Sequence, residues 1–425
     1  MNPDSNGPSL RTVRRLVLVA LAAIGLNFWH ETGPVRLATP DDVAFQAVAD
    51  HGNVDAYLAL NAREQGRFLY CTPLYRFVLI PPYALQPRWL FGVLRTTAFL
   101  AQIGLVAWLA ARVLRNPAAG WIVALALAGT LHLPQTFYLV LSVPPMWLGF
   151  PALLGALHFH LTALHRPHWA PGFLAGLLFL LAMLMHDVFV VFLPLFPALA
   201  WLERADGWRG LLRANLVPVA VALAYVVAHR SFAREFPTAY DGTQFSLNVV
   251  SATQVVVRQL VGVIPGFELV VNRPTAGTGS PLWRELPDVL ATFRLITGID
   301  LLVAAGTALG VTVALRHALA MPTPRARLWP WAVAAAVLAT LPIAFSAKYQ
   351  VFIMHREFPY GYAWFSFCFL GVAAVGILLQ LGGRFAPGRN RLVFSNAAGA
   401  GTFLLNVSAL ASNHRVLQVL AHTYN

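Results

Sequence analysis

The scarcest property of this sequence is charge. Asp, Glu, Lys and Arg make up 11% of its 425 residues, against about 25% in soluble domains, which excludes an ordinary water-soluble chain. Lysine is almost missing: Lys348 is the only one, so the basic charge is arginine. Cysteine occurs twice, as Cys71 and Cys368, too few for a disulfide framework or a thiolate metal cluster. The net charge of +13 invites a nucleic-acid reading. The arginines, however, punctuate apolar runs instead of forming one patch, so no nucleic-acid partner is expected.

What is present is hydrocarbon. Hydrophobic residues reach 58% and mean hydropathy is +0.64, with charge-free runs such as Ala118 to Thr130 and Ala332 to Ala347. A membrane span needs about 20 apolar residues. Eleven stretches qualify as candidates, near residues 12–30, 90–111, 118–141, 146–164, 170–186, 188–202, 211–229, 299–319, 329–347, 360–382 and 393–412. The expectation is an all-α, polytopic transmembrane helix bundle of about 11 spans, forming one integral-membrane domain over residues 1–425. The first stretch follows "RTVRR" as a signal peptide would, but no small-x-small cleavage site follows cleanly, and it is read as a span.

With the N-terminus in the cytoplasm, the short inner segments hold fifteen arginines against three acids, Asp4, Glu203 and Asp206. The other side carries the remaining fifteen basic residues with fourteen acids, mostly in two long loops. Positive charge in short loops marks the cytoplasmic face, so the chain reads as N-terminus in and C-terminus out, a multi-pass plasma-membrane protein. The first outer loop covers 31–89 and carries two short amphipathic helices, "DDVAFQAVAD" and "VDAYLALNAREQ", divided by Gly52 and closed by Gly66. The second, 230–298, mixes apolar runs with "NRPTAGTGSP", which reads as a mobile loop.

Ionisable groups in or beside spans usually mark function. The middles of the spans read as almost bare. At their outer ends stand His186 and Asp187, His229 and Arg230, Asp300, Lys348, and Arg356 with Glu357, on the same side as Asp41, Asp42, Arg63, Glu64 and Arg67. That pattern suits a site at the outer membrane surface. Plainer roles are open for several: Lys348 and Arg356 as headgroup anchors, Tyr360, Tyr362 and Trp364 as an interfacial aromatic belt, Asn406 as a helix–helix hydrogen bond.

"TPDD" is a helix start, with Thr39 as N-cap, Pro40 at N1 and Asp42 at N3 completing a capping box. This accounts for Asp42 and leaves Asp41, at N2, pointing elsewhere. A carboxylate near arginines at the bilayer surface would stay ionised and able to accept a proton.

An acidic pair shortly after the first span, in a long outer loop of amphipathic helices, resembles the GT-C superfamily of polytopic membrane glycosyltransferases. "DDVAFQAVADHG…EQGRFL" resembles its bacterial branch, and "LPIAFSAKYQ…REFPYGYAWF" is similar to the stretch before a late span there. The resemblance implies a sugar donor linked to polyprenyl phosphate, a glycan, lipid or protein acceptor, an extracytoplasmic active site, and an outer-loop acid as base. Carried over, Asp41 is the catalytic base and Asp42 the second acid. Arg67, Lys348 and Arg356 are candidates for holding the donor phosphate by position. His186, Asp187 and Glu357 are further site candidates without assigned roles. One base and direct displacement imply inversion at the anomeric carbon. Some relatives bind a divalent cation, Mg or Mn, for which Asp41, Asp42, His186 and Asp187 are available ligands without diagnostic spacing.

Two other classes compete. A transporter or flippase of lipid-linked sugars would require a polar path through the bundle. An O-antigen polymerase or ligase type of enzyme would place its essential residues in the second loop, where Arg258, Arg273, Arg284 and Arg294 lie. The glycosyltransferase reading requires a surface cavity bounded by Asp41, with a lipid-facing groove beside it.

Overall fold

The computed structural model describes residues 10–33, 35, 37–87, 89–133, 136, 140–165, 169–203, 207–238, 240, 244–265, 291–321, 328–354, 363–385 and 390–424. Arg356, Glu357, Tyr360, Tyr362, Arg273, Arg284 and the "NRPTAGTGSP" stretch lie outside them. The fold is all-helical, with no strand among the described residues.

Seven helices are long and apolar enough to cross a membrane: α1 (Leu10–Thr32), α5 (Trp89–Val113), α7 (Pro144–His165), α10 (Gly207–Glu235), α12 (Gly298–Ala320), α15 (Ala363–Phe385) and α16 (Asn390–Tyr424). Others among the eleven stretches are helical but shorter: α6 (Pro117–Gly129), α8 (Trp169–Met185) and α13 (Trp329–Ala344). The expected span 188–202 is instead a 3-10 turn, Asp187–Phe192, followed by α9 (Leu195–Leu202). At 1.5 Å per residue, α6 is about 20 Å long, short of a bilayer's hydrocarbon core of about 30 Å. Seven helices thus reach the length and apolarity of a full span, and the shorter apolar ones pack among them. In the second loop, most of "VVVRQLVGVI" (Val255 to Gly262) belongs to α11 (Val249–Gly262), which packs on α13.

The first loop is a small domain-like unit. It contains α2 (Pro40–His51), α3 (Val54–Gln65) and α4 (Pro73–Val78), with 3-10 turns at Phe68–Cys71 and Pro81–Ala84. Both α2 and α3 end on a left-handed glycine, Gly52 at φ 73° and Gly66 at φ 63°, a conformation that costs other residues about 1–2 kcal/mol. Phe45, Leu58, Leu69, Tyr75, Leu79 and Tyr83 close an apolar core beneath these turns and continue onto Phe91 of α5 and Trp147 of α7. This core seats the loop on the bundle.

One buried cation holds the entry to that loop. Arg95, 1% exposed within α5, donates to the carbonyls of Val35 (2.7 Å) and Thr32 (2.5 Å). Thr32 is the last residue of α1, so the guanidinium satisfies carbonyls that a helix end leaves unpaired. A span interior read as bare thus contains a structural arginine.

Two expectations for polar and aromatic side chains are corrected. Trp364 is not an interfacial residue: it is 1% exposed and its indole N–H donates to Gln102 Oε1. Among the described residues, neither side-chain atom of Asn406 has a hydrogen-bond partner. Nδ2 sits where a Cβ on Gly129 would lie 2.8 Å away, and the nearby Thr307 hydroxyl donates to its own helix at Val303 O.

Candidate active site

The two neighbouring acids have opposite fates because they sit at successive helical positions. Asp42 is fully buried. Its Oδ2 accepts from Ala38 N (2.8 Å), Thr39 N (2.9 Å), Thr39 Oγ1 (3.0 Å) and Ser142 Oγ (2.6 Å), and its Oδ1 accepts from the Tyr83 hydroxyl. The capping box is complete. Burial pushes the Asp42 carboxyl up from its usual range, while the bonds from Ser142, Tyr83, Ala38 and Thr39 oppose that rise. Asp42 organises backbone and does not face the cavity. Asp41, 100° further round the helix, is exposed and lines a cavity of about 490 Å³.

That volume lies within the usual range for small-molecule sites. Two kinds of wall enclose it. A charged wall carries Arg67, His186, Asp187, His229, Arg230 and Lys348; a neutral wall carries Tyr57, Asn61, Gln65 and Tyr70. Arg67 Nε lies 3.3 Å from Asp187 Oδ2, and His186 Nδ1 lies 2.7 Å from Asp187 Oδ1. His186 also N-caps the 3-10 turn, accepting from Val188 N. Tyr240 stands between two cations: Arg67 is 6.0 Å and Lys348 Nζ 5.6 Å from its ring centre. Lys348 belongs to α14 (Ala347–Met354).

Of the residues expected at the site, Asp41, Arg67, His186, Asp187 and Lys348 come together around this cavity. Asp42 lies behind it. Sequence reading singled out His229 and Arg230 as end-of-span residues without assigning them to the site. It passed over Tyr57, Asn61, Gln65 and Tyr70. The available signal was their spacing: 57, 61 and 65 lie on one stripe of α3, whereas amphipathicity drew attention only to the buried side.

The phenols on the neutral wall are held protonated. Burial, followed by the neighbouring Tyr70 and Asp41, pushes Tyr57 up to about 12. Burial raises Tyr70 as well, with Arg67 opposing. Both hydroxyls therefore remain hydrogen-bond donors at neutral pH.

The four ligands proposed for a divalent cation do not converge. Asp42 is saturated behind the wall, and both Asp187 oxygens face Arg67 and His186. Another group, Glu31, Asp300 and His414, brings its ligand atoms within 4.8 Å of one another. There each imidazole nitrogen already faces a carboxylate, Nδ1 to Glu31 at 3.0 Å and Nε2 to Asp300 at 2.9 Å. This is a three-helix clamp joining α1, α12 and α16.

An apolar groove of about 600 Å³ runs between α1 and α12 and shares no lining residue with the cavity. The lipid-facing groove expected beside Asp41 is therefore not this one. The chain matches no family model, no curated protein and no solved structure.

Proposed function

We propose that this chain is a membrane glycosyltransferase, moving a sugar from a polyprenyl-phosphate carrier to an envelope glycan, lipid or protein acceptor at the outer face of a bacterial plasma membrane. The carrying observation is the cavity's charge pattern. Its lining includes three permanent cations, Arg67, Arg230 and Lys348, and two carboxylates, Asp41 and Asp187. The lining thus carries more cations than carboxylates, an excess that favours an anionic ligand.

In this reading Asp41 takes the proton of the acceptor hydroxyl, whose oxygen bonds to the anomeric carbon. The carbon–oxygen bond to phosphate breaks, its electron pair leaves with the polyprenyl phosphate, and configuration inverts. Lys348 and Arg230 stabilise the departing charge. Arg67 and Arg356 complete the donor-phosphate candidates, Arg356 by position alone. An eleven-span, N-in topology would put the cavity outside.

The transporter reading gains nothing from the span interiors. Several of their buried polar groups are committed locally: Arg95 to α1's end, Gln102 to Trp364, His160 to Phe196 O at 2.9 Å; those without a partner among the described residues, such as Asn406, are neutral. The test is transfer on native membranes with a panel of radiolabelled polyprenyl-phosphate sugars. Asp41→Asn, at normal expression, should lower transfer by roughly 100-fold or more. Unchanged transfer would reduce Asp41 to a helix-start residue, and no transfer by the unaltered protein would refute the reading.

A further inference from the structure

The charged wall suits a phosphate, but the neutral wall does not. Phosphate recognition uses cations and backbone N–H groups; a carboxamide offers equal numbers of donors and acceptors. On α3 these groups form a ladder. Tyr70 Oη donates to Gln65 Oε1 (3.2 Å), Gln65 Nε2 to Asn61 Oδ1 (2.9 Å), and Asn61 Nδ2 to Tyr57 O (2.9 Å).

The valences of this ladder are informative. A carboxamide has two N–H donors and two oxygen lone pairs. In Gln65 the ladder uses one of each, fixing the side chain in orientation while leaving one N–H and one lone pair among the described residues; Asn61 keeps a lone pair, its second N–H being engaged by the Tyr57 phenol. Ligands needing a donor and an acceptor at one point are hydroxyl groups. Asn61 and Gln65 are one helical turn apart, about 6 Å, so together they span a small polyol ring. Phe45 and the Tyr57 ring line the same side of the cavity and meet edge to face with centroids 6.0 Å apart, giving apolar surface for C–H faces.

We infer that the Asn61–Gln65–Tyr70 ladder is a sugar-reading subsite that recognises ring hydroxyls of the glycosyl group beside Asp41. The inference rests on the glycosyltransferase reading and adds to it where sugar specificity resides. Tyr70 links the two halves. Its hydroxyl orients Gln65, and Arg67, on the charged wall, acts on it electrostatically, so the hydroxyl-reading side and the phosphate-holding side adjoin.

The experiment uses the full chain in lipid nanodiscs. Binding is measured for bare polyprenyl monophosphate and for the same carrier bearing each of several epimeric hexoses and a pentose. The readout within each variant is the affinity for each sugar-bearing carrier divided by that for the bare carrier. The unaltered protein should prefer one sugar by at least roughly 10-fold over its epimers. Each of Asn61→Ala and Gln65→Ala should cut that preference by roughly 5- to 10-fold, as expected for a hydrogen bond worth about 1–1.4 kcal/mol. Tyr70→Phe removes a hydroxyl alone and is the variant least able to disturb folding; it should weaken the preference too, because Gln65 loses its orientation.

Retention of the full preference in well-folded Gln65→Ala and Tyr70→Phe would make the ladder a helix brace and overturn the inference. Binding of the bare carrier without preference for any sugar would overturn the subsite while leaving the phosphate site standing. Failure of the unaltered protein to bind even the bare carrier would remove the donor reading, and the subsite with it.

Discussion

Arg67 and Asp187 meet across the cavity wall, guanidinium Nε to carboxylate Oδ2 at 3.3 Å. The pair joins the first loop, just beyond α3, to the turn between α8 and α9. Both side chains are mostly buried, 15% and 23% exposed, so each needs the other more than a surface pair would. Asp187→Asn should lower stability by roughly 1–3 kcal/mol, seen as a lower thermal midpoint in detergent. Arg67→Lys should lower it too, because an ammonium cannot reproduce the planar guanidinium contact. A midpoint unmoved by Asp187→Asn would show that the pair holds nothing together.

Asp42 gathers five donors, two of them, Ser142 and Tyr83, from distant parts of the chain. Asp42→Ala should destabilise the first loop by roughly 2–4 kcal/mol, since several buried donors lose their acceptor. The matching Asp41→Asn should leave stability within about 0.5 kcal/mol of the unaltered protein, as expected for an exposed side chain. Equal losses from the two substitutions would contradict the division of labour between the two acids.

Arg95→Met keeps the volume of the side chain but removes both donors to Thr32 and Val35. The expected result is faster proteolysis within residues 37–87 and a loss of roughly 2–4 kcal/mol, the cost of freeing buried carbonyls. Limited digestion in nanodiscs, compared with the unaltered chain, reads this directly.

Alkaline pH should loosen the cavity. Tyr57 titrates at about 12 when folded and near 10 when unfolded. The folded state thus binds the proton more tightly. The contribution is fully present below pH 10 and is lost as pH rises through 12. Thermal midpoints should therefore fall across that interval, and fall less steeply in Tyr57→Phe. Identical slopes for the two proteins would rule out Tyr57 as a source of the dependence.

Local grammar was easy to read from the residues. Thr39-Pro40-Asp41-Asp42 starts a helix as capping rules require, and Gly52 and Gly66 end two helices in the left-handed conformation. These signals are short-range, decided within four or five positions. Arg95 was missed because its neighbours in 90–111 are apolar and its partners lie some sixty residues away. Its presence in an apolar run was a signal that could have been used. Ser142 and Tyr83 carry no local mark of their bond to Asp42. Span lengths erred for a different reason: hydropathy records how apolar a stretch is, whereas helix ends are set by caps and prolines. Thus 118–141 yields a helix ending at Gly129, and the apolar run 188–202 begins as a 3-10 turn.

The cavity is stitched shut by contacts between remote segments. Thr238 Oγ1 donates to Glu64 O, bringing the end of α10 against α3, and Phe245 bridges Ser346, with Ala347 N donating to Gln244 O. Its lining runs from Asp41 to Tyr349. During synthesis, then, the pocket stays unfinished until most of the polypeptide has emerged from the ribosome. Asp41 waits through some three hundred further residues before Lys348 joins it in the lining. A product interrupted anywhere in that interval would have its acid but not its last cation, and so an incomplete pocket.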